Sequence, residues 1–260
     1  MNRTLRGFTL LELIVVIAII GVLSVIILPS FTSALSKAND TKMKQNIINT
    51  IKRYDVLAKW EFEEGSGSIA KDTAVNPIDN TVQNNATIPG SGVTWSANTY
   101  SSSSQQSLLF DGTNYLTTVN NTYPKLDNSS FSFSLWFRRT GGFGLNKRFI
   151  SKWGGGGACG YFIGTFDSND HLVFYFGDSS LANTYTAMKD QLWHNLMLSY
   201  DIGTSKLVVY LDGKSIGSYN MTCPMSGTNN NPLLIGGYIG GNHFIGNIDD
   251  VYYFNDVIVR

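Results

Sequence analysis

The chain has 260 residues, 43% of them hydrophobic and 15% charged, and its 19 basic and 19 acidic side chains cancel. A neutral chain of this composition excludes a charge-driven nucleic-acid binder and a disordered acidic tail, so no nucleic-acid partner is expected. The length suits one domain of roughly 200 residues with an appendage, or two small domains.

Glutamate occurs only at Glu12, Glu61, Glu63 and Glu64, which argues against a hydrolase working through a glutamate pair. Charge is also uneven: residues 1–59 carry 8 basic and 3 acidic groups, whereas residues 60–260 carry 11 and 16. The two parts face different surroundings.

Residues 1–7 form a short basic leader containing Arg3 and Arg6, and from Phe8 the chain reads FTLLELIVVIAIIGVLSVIILPSF. This run reaches the roughly 20 residues that a helix needs to cross about 30 Å of hydrocarbon. A secretory signal places its small-residue cleavage site after the apolar run. Here only Thr32-Ser33-Ala34 offers a weak site of that kind, while Gly7 stands before the run. A cut after Gly7 leaves the helix on the mature chain and creates an amine at Phe8. Glu12 is the exceptional residue, because a carboxylate inside a membrane costs about 3 kcal/mol on insertion scales and needs a partner. The Phe8 amine, on the same helix or a neighbouring one, is the nearest candidate.

The phrase GFTLLELIVVIAIIGVL resembles the leader and hydrophobic helix of type IV pilins and of the pseudopilins of type II secretion. The resemblance implies cleavage by a prepilin peptidase between Gly7 and Phe8, N-methylation of Phe8, and a role for Glu12 in assembly. It implies a precursor in the bacterial inner membrane with its head exported, then a cell-surface pilus or periplasmic pseudopilus. The implied partners are other pilin subunits and the inner-membrane assembly machinery. Pro29 fits the helix kink habitual in that family. On this reading residues 1–7 are the leader and 8–29 the transmembrane or fibre-core helix. Residues 30–59 form an amphipathic spine with Met43, Ile47, Ile51, Tyr54 and Ala58 on one apolar stripe. As one helix, Phe8 to Trp60 is roughly 80 Å long. A separate short stalk helix is the other reading.

After Trp60 the pattern changes to period two. Phe131, Phe133, Leu135 and Phe137 alternate with Ser132, Ser134, Trp136 and Arg138, and Leu207, Val209 and Leu211 alternate before an Asp212-Gly213 turn. Further strands are expected at 108–110, 115–119, 161–166, 171–176, 192–200, 233–236 and 244–253. Many short strands without helices between them predict an antiparallel sandwich over residues 60–260, giving a chain that is α+β by parts.

The phrases WEFEEGSGSIAKD, SLLFDGTNYL, SFSFSLWFR, LWHNLMLSYD, KLVVYLDGKSIGS and FIGNIDDVYYFN, in that order, resemble the laminin G-like, concanavalin A-like jelly roll. The resemblance implies adjacent first and last strands and a structural calcium, for which Glu63, Asp72 and Asp249 are the candidates; the alternative is that the aspartates cap turns. Asp72 is followed by Thr73-Ala74-Val75 where that family tends to have Ser-Gly. It also makes His194 a structural histidine rather than a catalytic one. Cys159 and Cys223 are the only cysteines. A bridge between them closes a loop of roughly 65 residues, worth about 4 kcal/mol, and two free thiols are the other reading. Trp153 and Tyr161, near the Gly154–Gly157 run, are the aromatic candidates for a sugar surface. The function expected is a non-enzymatic pilin-like subunit displaying a lectin-like head that binds glycan or protein. A membrane-tethered laminin G-like module outside any fibre is the alternative.

Overall fold

The computed structural model describes residues 9–21, 38, 41–42, 45, 49, 53–74, 84–101, 104–119, 129–152, 160–166, 170–176, 179–183, 189–220 and 231–258. The chain divides into two compact units, Met1–Ile47 and Ile48–Arg260. In the first, residues 10–21 are helical, and every large apolar side chain from Leu10 to Ile20 is exposed. Among the described residues no helix is long and apolar enough to cross a membrane.

The second unit is a sandwich of two antiparallel eight-stranded sheets. The first sheet contains β1 (Val56–Trp60), β4 (Val93–Ser96), β5 (Ser107–Asp111), β7 (Phe131–Arg139), β12 (Trp193–Asp201), β13 (Lys206–Leu211), β14 (Lys214–Asn220) and β16 (Ile245–Phe254). The second contains β2 (Ile69–Ala70), β3 (Ala86–Thr87), β6 (Leu116–Thr118), β8 (Lys147–Lys152), β9 (Tyr161–Phe166), β10 (His171–Phe176), β11 (Ser179–Asn183) and β15 (Leu234–Ile235). The orders are β14-β13-β12-β7-β16-β5-β4, with β1 also on β16, and β11-β10-β9-β8-β15-β6-β3-β2.

Alternation on β7 sends Phe131, Phe133, Leu135 and Phe137 into the core between the sheets. Phe137 stacks on Phe149 of β8 at 4.7 Å, and Phe149 meets Phe244 edge-on at 4.9 Å. Each such ring contributes roughly 1.5–3 kcal/mol by leaving water. The opposite face of β7 is buried too. Trp136 stacks on Tyr100 at 4.2 Å, and the Ser132 hydroxyl donates to Asp256 O and accepts from Ile258 N–H. Close packing decides Gly236, at φ +84°, where a Cβ would stand 2.1 Å from the Phe110 ring.

The β structure starts at Val56 rather than after Trp60, which corrects the expected spine boundary. Ala58, placed on the helical stripe, lies fully buried in β1, because residues 56–60 pair with Val251–Phe254 of β16. Trp60 opposite Val251 brings the first and last strands together as the jelly-roll resemblance implied. A bulge between Asp249 and Tyr252 divides β16: its first half pairs with β5, its second with β1. The described residues between 38 and 53 are helical; Met43, Ile47, Ile51 and Pro29 lie outside them.

Candidate functional site

Gly7 and Phe8, the processing positions, lie outside the described residues. Glu12 lies within them and is locally satisfied. Its Oε2 accepts from the Thr9 N–H at 2.8 Å and the Thr9 hydroxyl at 2.9 Å, while Thr9 Oγ1 accepts from the Glu12 N–H at 3.3 Å. This is a capping box, whose signature is the Thr-x-x-Glu phrase opening the apolar run. Reading Glu12 only through the Phe8 amine leaves it out.

The aspartates named as metal candidates perform structural bonding. Asp72 Oδ1 accepts from Lys59 N–H at 2.9 Å and Ala74 N–H at 3.0 Å, and Oδ2 from Asn84 N–H at 3.0 Å. It thereby ties β1 to the segment before β3. Burial still raises its carboxyl above the ordinary value. Glu63 takes the Gln105 N–H, and Asp249 takes the Ser104 hydroxyl at 2.9 Å and the Asp250 N–H at 2.9 Å. Among the described residues no three His, Cys, Asp or Glu side chains form a group placed to hold a metal ion.

The bulge in β16 also sets Asp249 and Asp250 side by side. Burial, the Asp250 charge and Glu63 push the Asp249 carboxyl up; burial with the Glu61 and Glu63 charges raises that of Asp250, although the Tyr100 hydroxyl donates to it. Like charges forced together in a buried place retain a proton.

His194, at the start of β12, is held between two carboxylates: Nδ1 lies 2.8 Å from Asp212 Oδ2 and Nε2 lies 3.0 Å from Asp190 Oδ1. Burial acts to lower its pKa, but Asp212 and Asp190 raise it above the ordinary value. Near it, Asp170, buried at φ +58°, binds the equally buried Arg139, accepts the Gly144 N–H at 2.9 Å and pairs with Lys189 at 3.0 Å. No local pattern announces these contacts, because they span loops far apart in sequence.

On β9, alternation turns Tyr161 into the core, 2% exposed, so it is not a surface aromatic. This corrects the expectation that Tyr161 is an exposed aromatic. Phe162 lies on the opposite face from Tyr161 and is also buried, stacked on Tyr175 of β10 at 4.6 Å with the Arg148 guanidinium 3.4 Å above its ring. Burial lowers the Arg148 pKa to about 10, which keeps it charged at neutral pH. The loop before β16 adjoins this face, since Arg148 N–H donates to Asn242 O and the Ser151 hydroxyl to Gly237 O. The same loop carries Tyr238 and His243, and Tyr115 meets the His243 ring edge-on at 5.2 Å. Tyr115, His243, Tyr238 and Tyr175 are all part-exposed. Aromatic faces with hydroxyls and a guanidinium beside them suit the mixed apolar and polar surface of a sugar. Trp153, Cys159 and Cys223 lie outside the described residues.

Two packed antiparallel sheets closed by neighbouring first and last strands define a lectin-type jelly roll. The chain belongs to the concanavalin A-like lectin/glucanases superfamily, whose laminin G family profile matches residues 110–259. Residues 2–28 match the prokaryotic N-terminal methylation motif, so the head is joined to a pilin-type amino terminus. PilA4, the type IV wide pilus major component of Thermus thermophilus, is 40% identical over 50 residues, covering 19% of this chain and 38% of that protein. The type II secretion system core protein G of Dickeya chrysanthemi is 34% identical over 82 residues, covering 30% of this chain and 54% of that protein. The chain thus spans about half or less of the curated relatives it matches.

Among solved structures, domain 4 of AbnA, an extracellular arabinanase of Geobacillus stearothermophilus solved with arabinotriose, superposes with a TM-score of 0.59 at 14% identity, over 79% of this chain and 95% of that one. The binding domain of Paraclostridial mosquitocidal protein 1 gives 0.56 at 15% identity, over 79% and 50%. At these identities the likeness is one of fold.

Proposed function

We propose that this protein is a structural subunit of a type IV pilus or a type II secretion pseudopilus, with its jelly roll displayed as a glycan-binding head. Residues 1–7 are the leader, removed by a prepilin peptidase, and the apolar helix from Phe8 anchors the precursor in the inner membrane and then enters the fibre core with other subunits. The observation that carries the reading is the union, on one chain, of a methylation motif with its Glu12 in place and a closed sandwich bearing a group of part-exposed aromatics. The row of Tyr115, His243, Tyr238 and Tyr175 beside Arg148 is the surface assigned to the ligand, and no catalytic role is assigned.

Intact mass with amino-terminal fragmentation of protein from native membranes tests the subunit role. The expected species starts at N-methylated Phe8. A chain starting at Met1 would make the protein a tethered module instead. For the head, Tyr238→Ala and Tyr175→Ala are each expected to weaken retention on a glycan array several-fold, the loss of one ring stacked on a sugar being worth about 1 kcal/mol. Unchanged retention by both variants would move the ligand elsewhere.

A further inference from the structure

β16 runs from Ile245, opposite Asp111, to Phe254, opposite Val56, so the loops around Ile245 occupy the end of the sandwich remote from where the chain enters it. Four of those connections are joined by one relay of polar contacts. The Gly144 N–H, in the β7–β8 loop, donates to Asp170 in the β9–β10 turn, whose other oxygen holds Lys189 at 3.0 Å. The next residue, Asp190, faces Nε2 of His194, and Nδ1 of His194 faces Asp212 in the β13–β14 turn. The remaining Asp212 oxygen accepts the Asn195 N–H at 2.9 Å.

A neutral imidazole has one N–H and one lone pair, and an imidazolium has two N–H donors. Set between two carboxylates, the neutral ring satisfies one and turns its lone pair on the other. The charged groups on the elements packed around it do not relieve this. Lys189 is held by Asp170, Arg138 of β7 donates its Nε–H to Gln191 O at 2.8 Å, and Lys214 stands exposed after the turn. The Phe137 ring, 5.8 Å away, is uncharged.

We propose that His194 is a proton-controlled brace for the loop end of the head: the imidazolium locks the 189–192 loop to the Asp212 turn, and the neutral ring releases that loop together with the Lys189 contact to Asp170. The inference goes beyond the fibre and glycan reading and holds whatever the ligand is. Its consequence is surface order, because Phe143, Leu145 and Leu192, exposed at 36%, 58% and 62%, sit on the braced loops. Pairing raises the folded imidazole pKa, so the brace is complete below the ordinary histidine value of about 6.5 and is lost as pH climbs through the folded value.

Amide hydrogen exchange on the full chain in detergent micelles, corrected for intrinsic rates, is read at pH 6 and pH 9 alongside the His194 imidazole nitrogen shifts. In the wild type, protection at Gly144 and Leu192 is expected to fall roughly tenfold over this range as the imidazole titrates, with amides of β7 and β16 unchanged. Asp190→Asn replaces an exposed carboxylate by an amide that donates to the neutral ring, and is expected to hold protection level at both pH values. Flat protection in the wild type, an imidazole that does not titrate in the window, or the same fall in Asp190→Asn would each overturn the proposal.

Discussion

Glu12→Ala is expected to give a protein that inserts into the membrane and is trimmed normally yet is depleted at least about tenfold from sheared fibres. Removing the carboxylate relieves an insertion cost of about 3 kcal/mol, so anchoring does not suffer. On the proposed fibre reading, what is lost is the charge that would pair with a Phe8 amine. The capping box supplies the control, because Glu12 also bonds to Thr9. Glu12→Gln keeps those acceptor bonds and removes only the charge. If Glu12→Gln assembles like the wild type, the residue matters as a helix cap worth about 1 kcal/mol; if it fails like Glu12→Ala, charge is the requirement. Immunoblots of sheared and membrane fractions read both variants together.

The second large effect is expected at Asp170. Asn tolerates the left-handed backbone there and accepts the Gly144 N–H, so Asp170→Asn chiefly removes the charge facing buried Arg139 and, more weakly, the exposed Lys189. Arg139 is 1% exposed, and an uncompensated buried guanidinium costs about 3–5 kcal/mol. For a head of this size the thermal midpoint drops by roughly 10 °C. Adding Arg139→Met to Asp170→Asn is expected to recover a large part of that loss, since the apolar side chain needs no counter-charge. Calorimetry of the two variants settles it, and a double variant no better than the single one would assign the loss to the loop itself.

Much of the sandwich was legible before any coordinates, for a physical reason. β7, β9, β10, β12, β13 and β16 are long enough for period-two alternation to rise above noise, and the Asp212-Gly213 turn has positive φ at both residues as its dipeptide demands. β2 and β3 are two residues each and carry no period, whereas the equally short β15 falls within the expected strand at 233–236. β8, Lys147–Lys152, escaped notice because its charged side chains belong to buried positions at Arg148 and Lys152. β1 carries a helical spacing only by coincidence, Ala58 continuing the stripe of Ile51 and Tyr54, and partnership with β16 decides its conformation.

The candidate site divides in the same way. The amino-terminal methylation motif over residues 2–28 is legible because its pattern is local. The burial of Tyr161 is not legible from sequence, because parity along a strand is invisible until a partner strand fixes which side is inside. The His194 relay, reaching from residue 144 to 212, is a product of topology, and sequence offered only a histidine of structural type.

The pairing of β1 with the closing half of β16 also determines how the head carries load. Antiparallel ladder bonds lie across the strand direction, so a pull directed along β1 is shared by the rungs from Val56 to Trp60 as a shear and does not peel them one after another.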